Sequence, residues 1–268
     1  MKQRQTVLIT GASSGIGLQL ANQLHDRGYH VIGTTRNPKR IPVPFQMMTL
    51  DITDEDSIEA FTNELFDAIG QLDVLVNNAG YMLVGLAEET PLELGKKQFD
   101  TNFWGTIALT NAILPHFRRQ KSGQIITMSS MMGLIGLPNK SFYSASKHAI
   151  EGYFKSLRFE LDQFNIKVNL VEPMWSKTNL KHNLVTTVAK IPEYDFYRKQ
   201  ADAYLKRSLE SAERPDVVVD AILKLIRSKS SKFRNPVGKM SRMIFFLQNH
   251  AYKMFEGAIQ KEVDRFKG

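Results

Sequence analysis

Tyr143 and Lys147, in the run Tyr143-Ser144-Ala145-Ser146-Lys147, form the pair in this chain best suited to move a proton. On a helix, positions i and i+4 share a face, which sets the lysine ammonium beside the tyrosine phenol. An unperturbed phenol titrates near pH ~10, and a fixed positive charge beside it favours the anion. That brings the group toward the range where it exchanges a proton with a carbonyl or alcohol oxygen. The expectation is a tyrosine made more acidic by Lys147. On a solvated surface the same spacing would do nothing, so other parts of the chain must supply the setting.

The setting starts near the N-terminus. The apolar run Val7-Leu8-Ile9 reads as a buried strand and passes directly into Thr10-Gly11-Ala12-Ser13-Ser14-Gly15-Ile16-Gly17. Ile16, Leu20 and Leu24 then mark one face of a helix that Gly28 stops. Strand, glycine turn and helix in that order bring free N–H groups and the positive end of a helix dipole up to a diphosphate. The glycine spacing differs from the more general dinucleotide fingerprint. A second strand, His30 to Thr35, ends at Arg36, where a dinucleotide would present its adenosine ribose. An acid at that point would bind a free 2′-hydroxyl and repel a phosphate. Arg36, with Lys39 and Arg40 behind it, instead suits a phosphorylated ribose and points to NADP(H); a solvated basic loop is the other reading. Asp51, closing the Met47 to Leu50 run, is placed either to meet the adenine amine or to cap the next helix.

Taken together, the Thr10 to Gly17 turn, Asp51, Asn77-Asn78-Ala79-Gly80, Asn102, Ser130, Tyr143, Lys147 and Pro173 resemble the short-chain dehydrogenase/reductase family, over roughly residues 5 to 237. The segment Phe233 to Gly238 resembles the subgroup similar to 17β-hydroxysteroid dehydrogenases. The resemblance implies that Tyr143 gives a proton to a carbonyl oxygen or takes one from an alcohol. It implies that Ser130, thirteen residues before Tyr143, holds the same oxygen, a separation that Ser129 lacks. Lys147 would lower the phenol pKa and bind the nicotinamide ribose. Asn102 would hold a water in a proton relay, or brace its helix against a neighbouring strand. The implied cofactor contacts are Gly11, Ser13, Ser14, Gly15, Ile16 and Gly17 in the turn, then Arg36, Asp51 and Ile52. Asn78, Ala79, Gly80, Tyr143, Lys147, Pro173 and Thr178 complete them. Family members often carry Gly after this proline, whereas here Met174 and Trp175 follow.

The wider chain is consistent with such an enzyme. Its 268 residues are 43% apolar and 23% charged, enough for a substantial core. With no cysteine, and six histidines lacking ligand spacing, no metal site is expected. Ser130 is not in a nucleophile-elbow pattern, which argues against a hydrolase. Strand and helix patterns alternate without a linker, including a long helix from about Pro91 to Phe117 and the Tyr143 helix to about Phe164. The expected architecture is α/β: one doubly wound, Rossmann-type parallel sheet with helices on both faces. Residues 1–238 would form the cofactor-binding and catalytic domain, with 239–268 a basic, apolar-containing extension of it.

The substrate is expected to be a small hydrophobic carbonyl or alcohol, steroid-like, retinoid-like or long-chain. Between Pro173 and Pro215 stand Met174, Trp175, Leu180, Leu184, Val185, Tyr194, Phe196, Tyr197, Tyr204 and Leu205, which either face a substrate or pack a lid onto its own domain. Met82, Leu83, Val84, Met131 and Leu137 can form a further wall or ordinary core. From Lys224 onward eleven Lys/Arg face three acids, carrying the whole +8 charge of the chain. That tail, with Met243 to Leu247, would rest on an anionic membrane surface or pack at a subunit interface. Nucleic acid is not an expected partner, because no recognised module accompanies the charge. Family resemblance implies a homo-oligomer, dimer or tetramer. The polar start shows no secretory pattern and no apolar run nears ~20 residues, so the expected location is cytoplasmic, with the tail as a point of membrane contact. A non-catalytic NADP-binding sensor or scaffold on the same fold is the alternative.

Overall fold

Helices between successive strands return each strand parallel to the last, and the resulting sheet carries the site. The computed structural model describes residues 4–38, 42–174, 184–186 and 190–265. Its strands are β1 (Thr6–Ile9), β2 (His30–Thr35), β3 (Gln46–Thr49), β4 (Val74–Asn77), β5 (Met82–Val84), β6 (Gly123–Met128), β7 (Ile166–Pro173), β8 (Leu184–Thr186) and β9 (Arg234–Val237). Seven of them form a parallel sheet in the order β3-β2-β1-β4-β6-β7-β9, and β5 pairs with β8 separately. The helices among the described residues are α1 (Gly15–Asp26), α2 (Glu55–Ala68), α3 (Leu92–Phe99), α4 (Gly105–Gln120), α5 (Ser141–Leu161), α6 (Asp195–Glu210), α7 (Asp216–Ser228), α8 (Ser241–His250) and α9 (Tyr252–Asp264).

Strand side chains alternate between faces, and the two cores follow that alternation. Leu8, Leu75 and Ile125 meet Phe61 and Leu65 of α2, Ile113 and Phe117 of α4, and Ile150 and Phe154 of α5. Val7, Ile9, Val76 and Ile126 meet Leu20 and Leu24 of α1 with Val219 and Ile222 of α7. Helices therefore cover both faces, and the strands buried between them read as continuous apolar runs.

Three features depart from the sequence expectation. The single helix expected from 91 to 117 is α3 and α4 joined by a π-helical turn, Asp100–Trp104, and continues to Gln120. Periodicity cannot separate a one-turn π segment from the α-helices it joins. Met82 to Val84, for which a pocket wall and ordinary core are both expected, form the short strand β5, which the sequence pattern does not predict; Met82 lines the cavity and packs with Val84 in a buried cluster. The basic tail forms α8 and α9, where Ile244, Leu247, Phe255 and Ile259 pack with Met131, Met132 and Leu137 of the same chain. Their outer face leaves Met243, Phe246, Tyr252 and Met254 exposed. Among the described residues, no helix is long and apolar enough to cross a membrane.

Candidate active site

Strand order runs outward in opposite directions from β1 and β4, and a crevice opens at the carboxyl ends of such a pair. A cavity of about 560 Å³ lies there. Thr10 ties its floor together. Its Oγ1 accepts from the Asn78 and Ala79 backbone N–H groups, both at 2.9 Å. Asn78 Nδ2 in turn donates to the carbonyls of Thr10 at 2.9 Å and Gly11 at 3.2 Å. Gly11 adopts φ +66°, a conformation that L side chains rarely take. A Cβ at Gly17 would stand 2.5 Å from both Asn78 Nδ2 and the Gly11 oxygen, so this glycine is a packing requirement beneath the turn.

Gly11, Ser13, Ser14, Gly15 and Ile16 line the cavity where α1 begins, and the first turn of α1 carries no acid. Arg36, Asp51 and Ile52 line one end; Asn78, Ala79, Gly80 and Pro173 line it further along. Arg36 is exposed at the end of β2. Asp51 Oδ1 accepts from the Thr53 N–H at 2.9 Å and Oγ1 at 2.7 Å, while Asp54 caps α2, so the capping role falls to a different acid. Burial would push the Asp51 carboxyl up, but the Thr53 hydrogen bonds and the Arg36 charge outweigh it and hold the pKa below its usual value.

At the other end, β6 delivers Ser130 and α5 delivers Tyr143 and Lys147 to the same cavity. Ser130 Oγ accepts the Met132 N–H at 3.1 Å, which fixes it at the start of a short 3-10 turn, and it is hydrogen-bonded to the Tyr143 hydroxyl. Lys147 Nζ donates to the Met128 carbonyl at 2.6 Å and lies 5.9 Å from the centre of the Tyr143 ring. Here the electrostatics correct the sequence expectation. Burial raises the Tyr143 pKa and the Ser130 hydrogen bond only partly offsets this. Burial also pushes the Lys147 ammonium down to about 8, with Glu151 acting in the other direction. Proximity was legible in the spacing, whereas the shared burial that penalises both charges was not.

Asn102 and Gly17 stand behind the cavity wall. Asn102 sits in the π turn, accepting from the Tyr81 N–H at 3.1 Å and donating to the Tyr81 carbonyl at 3.0 Å. These bonds tie the π turn to the chain between β4 and β5. Thr178, Lys39, Arg40, Trp175 and Leu180 lie outside the described residues. For Leu184 and Val185 only the backbone is described, in β8.

Sequence reasoning missed a buried network below Tyr143 and Lys147. Ser129 Oγ donates to Glu151 at 2.5 Å, and Arg234 bridges Glu151 at 2.9 Å and Glu172 at 3.0 Å. Burial raises both carboxyls, and Glu172, further raised by the Glu151 charge, reaches about 8. The available signal was Glu151, one turn after Lys147 on the same helix face.

Part of the remaining wall is apolar. Tyr81, Met82, Met132 and Met174 face the cavity, while Leu205 and Leu209 of α6 pack with Met82, Val84 and Tyr143. Phe196 is 48% exposed, so not all the aromatics after Pro173 join that wall. Arg198 of α6 is paired with buried Glu89, which also accepts the Ile191 N–H at 2.7 Å and anchors this cover to the sheet side.

The family model described as short chain dehydrogenase matches residues 5–189. A 3-ketodihydrosphingosine reductase of Bacteroides thetaiotaomicron is 36% identical over 249 residues, spanning 91% of each chain. Human retinol dehydrogenase 8 is 39% identical over 252 residues, covering 86% of this chain and 80% of its own. Among solved structures, ElxO with NADP bound superposes with a TM-score of 0.72 at 30% identity, over 87% of this chain and 97% of that one.

Proposed function

Because the chain belongs to the short chain dehydrogenase family, we propose that it is an NADP(H)-dependent oxidoreductase interconverting a hydrophobic ketone or aldehyde with its alcohol. One observation carries this reading: Ser130, Tyr143 and Lys147 share a cavity with the glycine turn and Arg36, and Met82, Met132 and Met174 line the same cavity. The residues present fit the cofactor. An acid-free helix start accepts a diphosphate, and Arg36 with no acid beside it on β2 suits a 2′-phosphate. NADP is bound in ElxO, a relative in structure. Ketodihydrosphingosine and retinol, named in two relatives, are lipids, in keeping with an apolar wall.

When bound, the nicotinamide supplies or accepts the hydride. Tyr143 Oη donates the proton to the carbonyl oxygen in reduction and removes it from the alcohol in oxidation. The Ser130 hydroxyl holds that oxygen and stabilises the charge developing on it. Lys147, whose pKa is pushed down to about 8, stands next to the phenol as a group able to change protonation near neutral pH. Met82, Met132 and Met174 put apolar side chains into the same cavity as the reacting groups. Asn102 is a positioning residue, acting through Tyr81.

The test is a panel of steroid, retinoid, long-chain and small polar carbonyls followed by NADPH absorbance. Turnover of apolar members with little of polar ones is the expected outcome; tight NADPH binding with no turnover of any would favour the sensor alternative. Replacing Arg36 by Asp removes a charge-assisted contact of about 1.5–3 kcal/mol, so NADPH affinity should fall about 10- to 100-fold and NADH become the better cofactor. An unchanged preference would remove Arg36 from the site. Gly17→Val should weaken NADPH by at least about 30-fold in a fluorescence titration, since the added carbon displaces Asn78 and the Gly11 turn.

A further inference from the structure

A second cavity, of about 510 Å³, opens where α5, β9 and α8 meet, and it shares no lining residue with the first. Each of these elements directs cations to it: Lys155 and Arg158 from α5, Lys232 and Arg234 from the start of β9, and Arg242 from α8. No carboxylate lines it among the described residues. Only Arg234 has an acid partner there, through Glu151 and Glu172; Lys155, Arg158, Lys232 and Arg242 make no ion pair among the described residues. Four uncompensated cations converging from three elements repel one another unless an anion enters.

Rings hold two of these cations in place. The Arg158 guanidinium lies 4.2 Å from the Phe159 ring and 4.6 Å from the Phe233 ring. Arg234 lies 5.8 Å from Phe233 and 5.6 Å from Phe245. The ring faces attract these two cations without using their N–H donors. Arg158 Nε is buried and has no hydrogen-bond partner, a donor that ordinary packing would not leave unmet. Phe233, Pro236 and Phe245 supply apolar surface in the same cavity. Its volume lies within the usual range for a small-molecule site.

We infer that this cavity binds an anionic amphiphile, with a carboxylate or phosphate head among Lys155, Arg158 and Arg242 and an apolar chain against Phe233, Pro236 and Phe245. The head can belong to a free acyl compound or to a lipid in a bilayer, and both present the same chemistry.

Calorimetric titration of the full chain with monomeric decanoate and with decanol, alongside sedimentation with phosphatidylcholine vesicles with and without phosphatidylglycerol, tests the inference. The expected result is saturable decanoate binding, at least about 10-fold tighter than decanol and weakened by salt. Lys155→Glu combined with Arg242→Glu should reduce it at least about 10-fold while kcat/KM for a carbonyl substrate stays within about twofold. Both positions are exposed, and Lys232→Glu, also exposed, serves as a second variant should the double substitution fail to fold. Decanoate binding without vesicle binding assigns the head to a free amphiphile. Charge-dependent vesicle binding that the variants lose, without decanoate binding, assigns it to a bilayer. Absence of both, equal binding of decanol, or unchanged binding in the variants overturns the inference. Binding is read without turnover, so failure here is distinct from failure of the oxidoreductase reading.

Discussion

Tyr143→Phe should lower kcat about 1000-fold or more and leave NADPH affinity within about twofold, because general acid–base groups contribute 10²–10⁴-fold and, among the described residues, Tyr143 is the phenol bonded to Ser130. The substitution keeps the ring that packs with Met82, Val84 and Leu205, so the wall and fold are preserved while the proton carrier is deleted. An interaction used only in the transition state lowers kcat and kcat/KM together, so the two should fall in parallel. Stopped-flow kinetics with saturating NADPH and an apolar carbonyl make the measurement. A variant that keeps its rate would place the proton transfer elsewhere, and a selective rise in KM would recast Tyr143 as a binding group.

Lys147→Met should abolish turnover and yet stabilise the protein at pH 7. Burial holds the Lys147 pKa at about 8, against a usual value of 10.5. Between those values the unfolded chain keeps its proton while the folded chain has released it, so stability rises as pH increases through this window. Below about pH 8 the folded protein carries the whole penalty of a buried ammonium, and methionine removes it. That relief is worth about 3 kcal/mol, and losing the charged donor to the Met128 carbonyl takes back about 1.5–2 kcal/mol of it. The net is about 1–2 kcal/mol, or an increase of about 3–6 °C in Tm. Melting curves at pH 7 and pH 9.5 provide the check: the advantage should shrink at the higher pH. A Tm below wild type at pH 7 would mean that the Met128 and Glu151 contacts outweigh desolvation.

How much the sequence discloses depends on the range of the interaction involved. The strand, turn and helix around Thr10 to Gly17 are local patterns, and the structure forms them in place. The alternation that predicts a doubly wound parallel sheet is likewise realised in seven strands. Tyr143 and Lys147 could be selected because helix spacing sets them on one face, and Ser130 because the family resemblance implies the serine thirteen residues before Tyr143. Pairing of β5 with β8 was hidden because it joins Met82–Val84 to Leu184–Thr186, about a hundred residues on, and three-residue strands have no period to read. The π turn at Asn102 was hidden for a related reason: it shifts register by one residue inside an unbroken helical pattern. Ser129, Glu151, Glu172 and Arg234 come from four separate elements, so their union exists only after folding. Acidity is less legible still, since the sign of the Tyr143 shift follows from water exclusion rather than from its neighbour four residues away.

The placement of Phe255 against Met131, Met132 and Tyr143 has an evolutionary and engineering corollary. Tyr143 and Lys147 are mounted on α5 and Ser130 just past the end of β6, whereas α8 and α9 pack with the turn that follows Ser130 and supply no residue lining the catalytic cavity among the described residues. A change in the tail would thus reach that cavity only indirectly, through side chains such as Met132, which belongs to both the cavity wall and the cluster the tail completes.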